Sequence, residues 1–101
     1  MTLPVVWIPE ADADLKEALA WYEGIHPDLG VRFALAVDAA VEVIVRSPLA
    51  FQMVDAEIRR AGVRRFPYGL FFKVESSRIV VIACMHGRRN PKRWKIRRSV
   101  D

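Results

Sequence analysis

The sequence predicts an α+β domain with the order β-α-α-β-β-β: an antiparallel sheet with an N-terminal helical hairpin packed on one face. Three observations carry this. Residues 9–25 and 31–46 both follow helical spacing; the β-branched run of the second could instead be a buried strand, but its length and its alanines favour helix. Residues 68–75 and 78–85 are apolar, rich in β-branched and aromatic side chains, and close enough to pair as a local hairpin. The chain has 101 residues, 52% hydrophobic and 28% charged, which suits one folded domain over residues 1–101 with a single core.

Residues 3–8 are short and β-branched, so they read as a first strand. Pro9 suits a first helical turn, and Glu10, Asp12 and Asp14 favour the positive end of the helix dipole. Ala11, Leu15, Ala18, Leu19, Tyr22 and Ile25 form the stripe expected to be buried. His26-Pro27 breaks the helix, and Asp28 is the expected N-cap of the next one. There Phe33, Val37, Ala40, Val41 and Ile44 share a face, while Leu35, Val43 and Val45 make other sides apolar too. Ser47-Pro48 ends that helix, because proline disfavours helix in the residue before it. Residues 49–57 read as a loop, and 58–66 alternate apolar and basic like a half-exposed strand. Ser76-Ser77 joins the hairpin strands. Asn90-Pro91 closes the sheet, and the tail continues briefly as helix.

Charge is strongly divided. Residues 1–57 carry three basic and ten acidic residues, a net of −7; residues 58–101 carry thirteen basic and two acidic, a net of +11; together they make the overall +4. Acidic helices against a basic sheet would neutralise part of this. Arg88, Arg89, Lys92, Arg93, Lys95, Arg97 and Arg98 crowd together without an acid among them, so they are expected to stay unneutralised and to face an acidic or polyanionic partner. No apolar run reaches the ~18 residues that span a bilayer, and no secretory signal is visible. The single Cys84 cannot form an internal disulfide. A cytoplasmic protein without membrane contact is the expectation.

Several chemistries find no support. The glycines form no phosphate-cradling loop, no histidine pair has ligand spacing, and no Gly-x-Ser-x-Gly occurs. No metal and no cofactor are therefore expected. Cys84, mid-strand among apolar neighbours, reads as an inert buried thiol. His86 is either a proton carrier or a strand-end histidine bonded to backbone. Trp94 either stacks on the target or folds back to cap the core. Tyr68 reads as a core residue with its hydroxyl outward. Trp7, Trp21, Phe66, Phe71 and Phe72 read as core.

Taken in order, several of these segments resemble the RelE/ParE superfamily of bacterial toxins from type II toxin–antitoxin systems. The resemblance runs through Pro9-Glu10-Ala11, Asp14-Leu15, Ala20-Trp21-Tyr22-Glu23 and Leu29-Gly30-Val31-Arg32-Phe33. It resumes at Arg65-Phe66-Pro67-Tyr68 and at His86-Gly87-Arg88-Arg89-Asn90-Pro91 with Trp94. RelE-like members are ribosome-dependent endoribonucleases. They carry an arginine where this chain has Gly69, and a catalytic Tyr or His-Tyr pair where it has Trp94 and His86. Indole cannot perform a phenol's proton transfer. Arg88 matches a basic position of the nucleases. ParE-like members lack that set and are viewed as poisons of DNA gyrase that bind rather than catalyse; the pattern here is closer to theirs.

The resemblance implies a growth-inhibiting toxin acting on DNA gyrase and held in a hetero-oligomer with a cognate antitoxin. The alternative is cleavage of mRNA on the ribosome by Arg65, His86 and Arg88. The candidate target-binding residues are Arg64, Arg65, Tyr68, His86, Arg88, Arg89, Lys92, Arg93 and Trp94. The candidate antitoxin-binding residues are Leu35, Val43 and Val45.

Overall fold

Proline placement and one histidine shape the N-terminal half of the chain, which begins with β1 (Val5–Trp7). A computed structural model describes residues 2–87 and 91–97. Helix α1 (Pro9–Ile25) starts with Pro9 in its first turn, where the missing N–H is no loss. Helix α2 (Pro27–Arg46) begins almost at once, because His26 serves both helices. Its backbone N–H donates to Tyr22 O at the end of α1, and its Nδ1 accepts from Asp28 N at 3.1 Å. The N-cap is thus His26 rather than Asp28, and α2 starts four residues earlier than its periodicity suggests. The two helices approach closely at Gly30, where any β-carbon would collide with the Glu23 side chain.

The five strands are β1, β2 (Met53–Asp55), β3 (Ile58–Gly62), β4 (Tyr68–Val74) and β5 (Ile79–His86), arranged β1-β5-β4-β3-β2. The β4–β5 hairpin runs from Tyr68↔His86 to Val74↔Ile79 with one irregularity at Phe71/Phe72. A short 3-10 turn, Pro48–Ala50, and β2 occupy the segment expected to be loop. The sheet is mixed rather than wholly antiparallel. Val5, Val6 and Trp7 run parallel beside Ile79, Val80 and Val81. No local turn ties β1 to a partner strand, so its direction is set by the crossover through the helical hairpin and the other strands.

The core lies between the hairpin helices and one sheet face. Phe33, Ile44, Leu70, Phe72, Ile79 and Val81 are fully buried there. Tyr22 and Phe33 of the helices meet Phe66 and Tyr68, with ring centroids 4.9–6.0 Å apart. Alternation along β4 sends Tyr68, Leu70 and Phe72 toward the helices and Gly69 and Phe71 to the other face. Helix α3 (Lys92–Lys95) covers that second face: Trp94 stacks on Phe71 at 4.6 Å and is only 6% exposed. Two residues depart from the expected core. Trp21 is 66% exposed and Ile25 59%. Both sit toward the end of α1, where Tyr22 takes the interior position against Phe33, Phe66 and Tyr68.

One polar device finishes the fold. β1 stops at Trp7, and its last bond across is Ile8 N to Val81 O. Past that point the β5 edge would carry unmet backbone groups. Instead Cys84 N donates to Asp14 Oδ2 at 3.2 Å, and Arg97 Nη1 donates to Ile82 O at 3.1 Å. Arg97 and Asp14 are themselves paired at 2.6 Å, each side chain 15% exposed. Arg97 is therefore neutralised, against the expectation that it belongs to an unpaired cluster. Asp14 serves the sheet edge and not the dipole of its own helix.

Candidate functional site

The basic residues gather where β4 begins and β5 ends, because the hairpin register brings Tyr68 opposite His86. Their rings meet edge to face at 5.6 Å, and both side chains are half-buried. They line a groove of about 730 Å³ with Glu17, Trp21 and Pro67, so the exposed indole of Trp21 flanks it. Arg93, exposed on α3, reaches the same end beside His86, Asp14 and Glu17. Burial, and then the neighbouring Tyr68, raise the Tyr22 hydroxyl above its ordinary pKa. It stays a neutral phenol within the aromatic cluster. Burial, reinforced by the Asp14 charge, pushes the Cys84 thiol up to about 12. A thiol held so firmly protonated is no nucleophile.

Arg64 and Arg65 stand on the other side of this end, in the turn between β3 and β4. The turn is closed by Val63 N to Tyr68 O at 2.9 Å and Phe66 N to Val63 O at 3.0 Å. Arg65 holds φ at 72°, the left-handed region that glycine occupies without strain. Both arginines are exposed and line a groove of about 370 Å³ with Arg32, Leu35 and Phe66. Arg64 also borders an adjoining groove of about 230 Å³ with Val43, Ala40 and Phe51. Leu35 is 62% exposed and Val43 41%. Val45 is half-buried and lines neither groove.

The candidate residues are thus divided by position. Tyr68, His86 and Arg93 share the α1 side, whereas Arg64 and Arg65 share the α2 side with Leu35 and Val43. Lys92 is exposed on α3. Trp94 is a correction: packed on Phe71, it is unavailable for stacking on a target. Of the nuclease set, Arg65 and His86 line different grooves, and Arg88 lies outside the described residues, as does Arg89. Among the described residues no group of three or more His, Cys, Asp or Glu side chains could hold a metal ion. No described helix is long and apolar enough to cross a membrane.

Two site features escape inspection of the sequence. Glu17 and Trp21 sit one helical turn apart on α1, yet their part in the groove needs the α1 packing to be known. Arg60 of β3 lies across Gly69, so the space above that glycine holds a guanidinium delivered from the neighbouring strand.

The profile of the ParE toxin of the type II toxin–antitoxin system parDE matches residues 5–91. The chain belongs to the ParE toxin family. The match spans both helices and all five strands, so it covers the fold and the groove described above. No curated protein sequence matches the chain. Among solved structures, the chromosomal ParDE toxin–antitoxin system from P. aeruginosa matches with a TM-score of 0.73 and 16% identity. The match covers 83% of this chain and 95% of that one. At that identity the likeness speaks for the shared α+β fold.

Proposed function

We propose that this ParE-family toxin arrests bacterial growth by binding DNA gyrase through the basic end of its sheet, without cleaving a nucleic acid. The observation that carries this reading is the position of Trp94. Where the nucleases keep a proton-transferring phenol, this chain has an indole, and that indole is buried against Phe71. Of the other nuclease candidates that are described, Arg65 and His86 line separate grooves, which speaks against their meeting on one phosphate. Exposed cations on a rigid strand end suit recognition of an acidic surface instead. Induced expression, with DNA breaks and mRNA integrity followed in parallel, tests the reading. Filamentation and DNA damage with intact transcripts are expected. Codon-positioned cuts in ribosome-bound mRNA would refute it.

The same reading includes neutralisation by an acidic antitoxin over α2. Leu35 and Val43 are exposed beside Arg32, Arg64 and Arg65, so an amphipathic segment could seat apolar residues on α2 and acids on the arginines. Co-expression with the adjacent small open reading frame should give a co-purifying complex. Clean separation of the two proteins at low salt would count against this partner.

A further inference from the structure

Arg60 is half-buried on the sheet face opposite the helical hairpin, where its register partner is Phe71. Its guanidinium carbon lies 5.9 Å from the Phe71 ring centroid. The guanidinium then crosses β4 above Gly69. A β-carbon on Gly69 would sit 2.6 Å from Nε, 2.7 Å from Cζ and 2.8 Å from Nη2. A β-carbon on Gly87 would sit 3.5 Å from the same Nη2, and one on Gly62 would sit 3.7 Å from Nη1. Three of the chain's five glycines therefore border one guanidinium. Side chains at 69 would expel it, so the flat seat exists only because that residue is glycine.

The other sheet-bound arginines spend their donors internally. Arg59 bonds Leu49 O and Phe51 O, and Arg97 bonds Asp14 and Ile82 O. Among the described residues, no hydrogen bond or ion pair reaches the Arg60 guanidinium. Guanidinium does not lose its proton, and its fork of donors matches a carboxylate edge to edge. A cation held flat by a ring and glycines, with its fork unspent among the described residues, is pre-organised for an anion.

We propose that Arg60 is the anchoring site for a carboxylate on the protein this toxin binds. A protein carboxylate fits better than a run of phosphates. The floor is aromatic and glycine-lined, and among the described residues Arg64, Arg65 and Arg93 line grooves elsewhere. Arginine is also enriched among the few residues that carry most of the energy of a protein interface. The proposal rests on the reading of the chain as a toxin that acts by binding, but the first arm of its test does not.

That arm follows the Arg60 Nε–Hε resonance of the labelled protein while acetate, inorganic phosphate or a short DNA duplex is added at constant ionic strength. Acetate should shift it saturably at about tenfold lower concentration than it shifts exposed Arg64 and Arg65. G69A should abolish this preference although no charge changes, and G24A, where an added β-carbon meets nothing within 4 Å, should keep it. A response matching Arg64 would overturn the site. Stronger response to phosphate or duplex than to acetate would overturn the carboxylate in favour of a nucleic acid. In cells, G69A and Arg60→Gln should each need about tenfold more inducer for growth arrest, with G24A like wild type. Thermal midpoints should move by less than about 3 °C, since the group displaced by G69A is the free end of a long side chain. Should G69A fail to fold, Arg60→Gln and the acetate titration decide. Full arrest by Arg60→Gln would overturn the anchor. A wild type that causes no arrest would refute the toxin reading and leave the acetate result standing.

Discussion

Removing the Asp14–Arg97 pair should uncouple the C-terminal helix from the sheet edge at a measurable energy. The pair is no ordinary surface bridge. Its 2.6 Å contact is 15% exposed on both sides, and each partner also bonds β5 backbone, at Cys84 N and Ile82 O. Exposed pairs contribute about 0–1 kcal/mol, whereas hydrogen bonds to charged groups contribute about 1.5–3 kcal/mol. Asp14→Ala also leaves Cys84 N without its acceptor, worth about 1–3 kcal/mol if water cannot reach it. We therefore expect Asp14→Ala to lose about 2–4 kcal/mol and Arg97→Ala about 1.5–3 kcal/mol. The double variant should lose less than the sum, with a coupling of about 1.5 kcal/mol or more. Urea unfolding of the four proteins measures this. A coupling below about 0.5 kcal/mol, or one that vanishes in high salt, would show the pair to be solvated and refute the argument. If Lys92 and Arg93 contact the target as proposed, toxicity should fall in the same variants, because Arg97 follows α3 by two residues and its loss would loosen the helix that carries them.

Leu70→Ala should lose about 2–5 kcal/mol in urea unfolding and lose toxicity through unfolding, since Leu70 is 0% exposed. Lys92→Ala with Arg93→Ala should abolish growth arrest while stability moves by less than about 0.5 kcal/mol, both side chains being exposed; full toxicity would remove them from the site. Native Cys84 should alkylate at pH 8 about a thousandfold more slowly than a thiol at its ordinary 9.0, given a folded pKa of about 12. Its raised pKa stabilises the fold fully below pH 9, and that contribution falls by about 1.4 kcal/mol per unit as pH rises from there toward 12; Cys84→Ala should flatten the alkaline slope. Arg65→Val should cost about 1–2 kcal/mol at its φ of 72°, and Arg65→Gly should cost far less; equal losses in thermal unfolding would mean that the turn relaxes.

What the sequence reveals follows the range of the forces involved. Helical stripes and the β4–β5 hairpin depend on neighbours a few residues apart, so Phe33, Val37 and Ile44 or Leu70 and Phe72 are read correctly from spacing. Choices that depend on distant partners are not legible. Trp21 reads as core by hydrophobicity, yet Tyr22 takes the interior position and leaves the indole outside. Arg97 reads as part of a bare cationic run, yet Asp14, 83 positions earlier, neutralises it. β1 carries no sign of its parallel partner, and β2 is too short, at three residues, to show alternation. In the candidate site the basic end was visible as a charge run. Its division between an α1 side and an α2 side was not, because Phe66 and Pro67 separate the two only once the turn closes.

That division bears on how such a toxin could be silenced. A partner seated on Leu35 and Val43 reaches Arg64 and Arg65 directly, since Arg64 borders both grooves on the α2 side. It does not reach Tyr68, His86 or Arg93, which open toward α1, nor Arg60, which lies on the opposite sheet face. Neutralisation over α2 alone would then leave most of the proposed target-binding surface uncovered. It would act by bulk, or by withholding the Arg64–Arg65 turn, whose left-handed arginine is the strained element of the site. The grooves make this distinction testable. A complex in which His86 and Arg93 keep the solvent exposure of the free toxin supports partial cover, and their burial would require the partner to wrap past Pro67 to the α1 side.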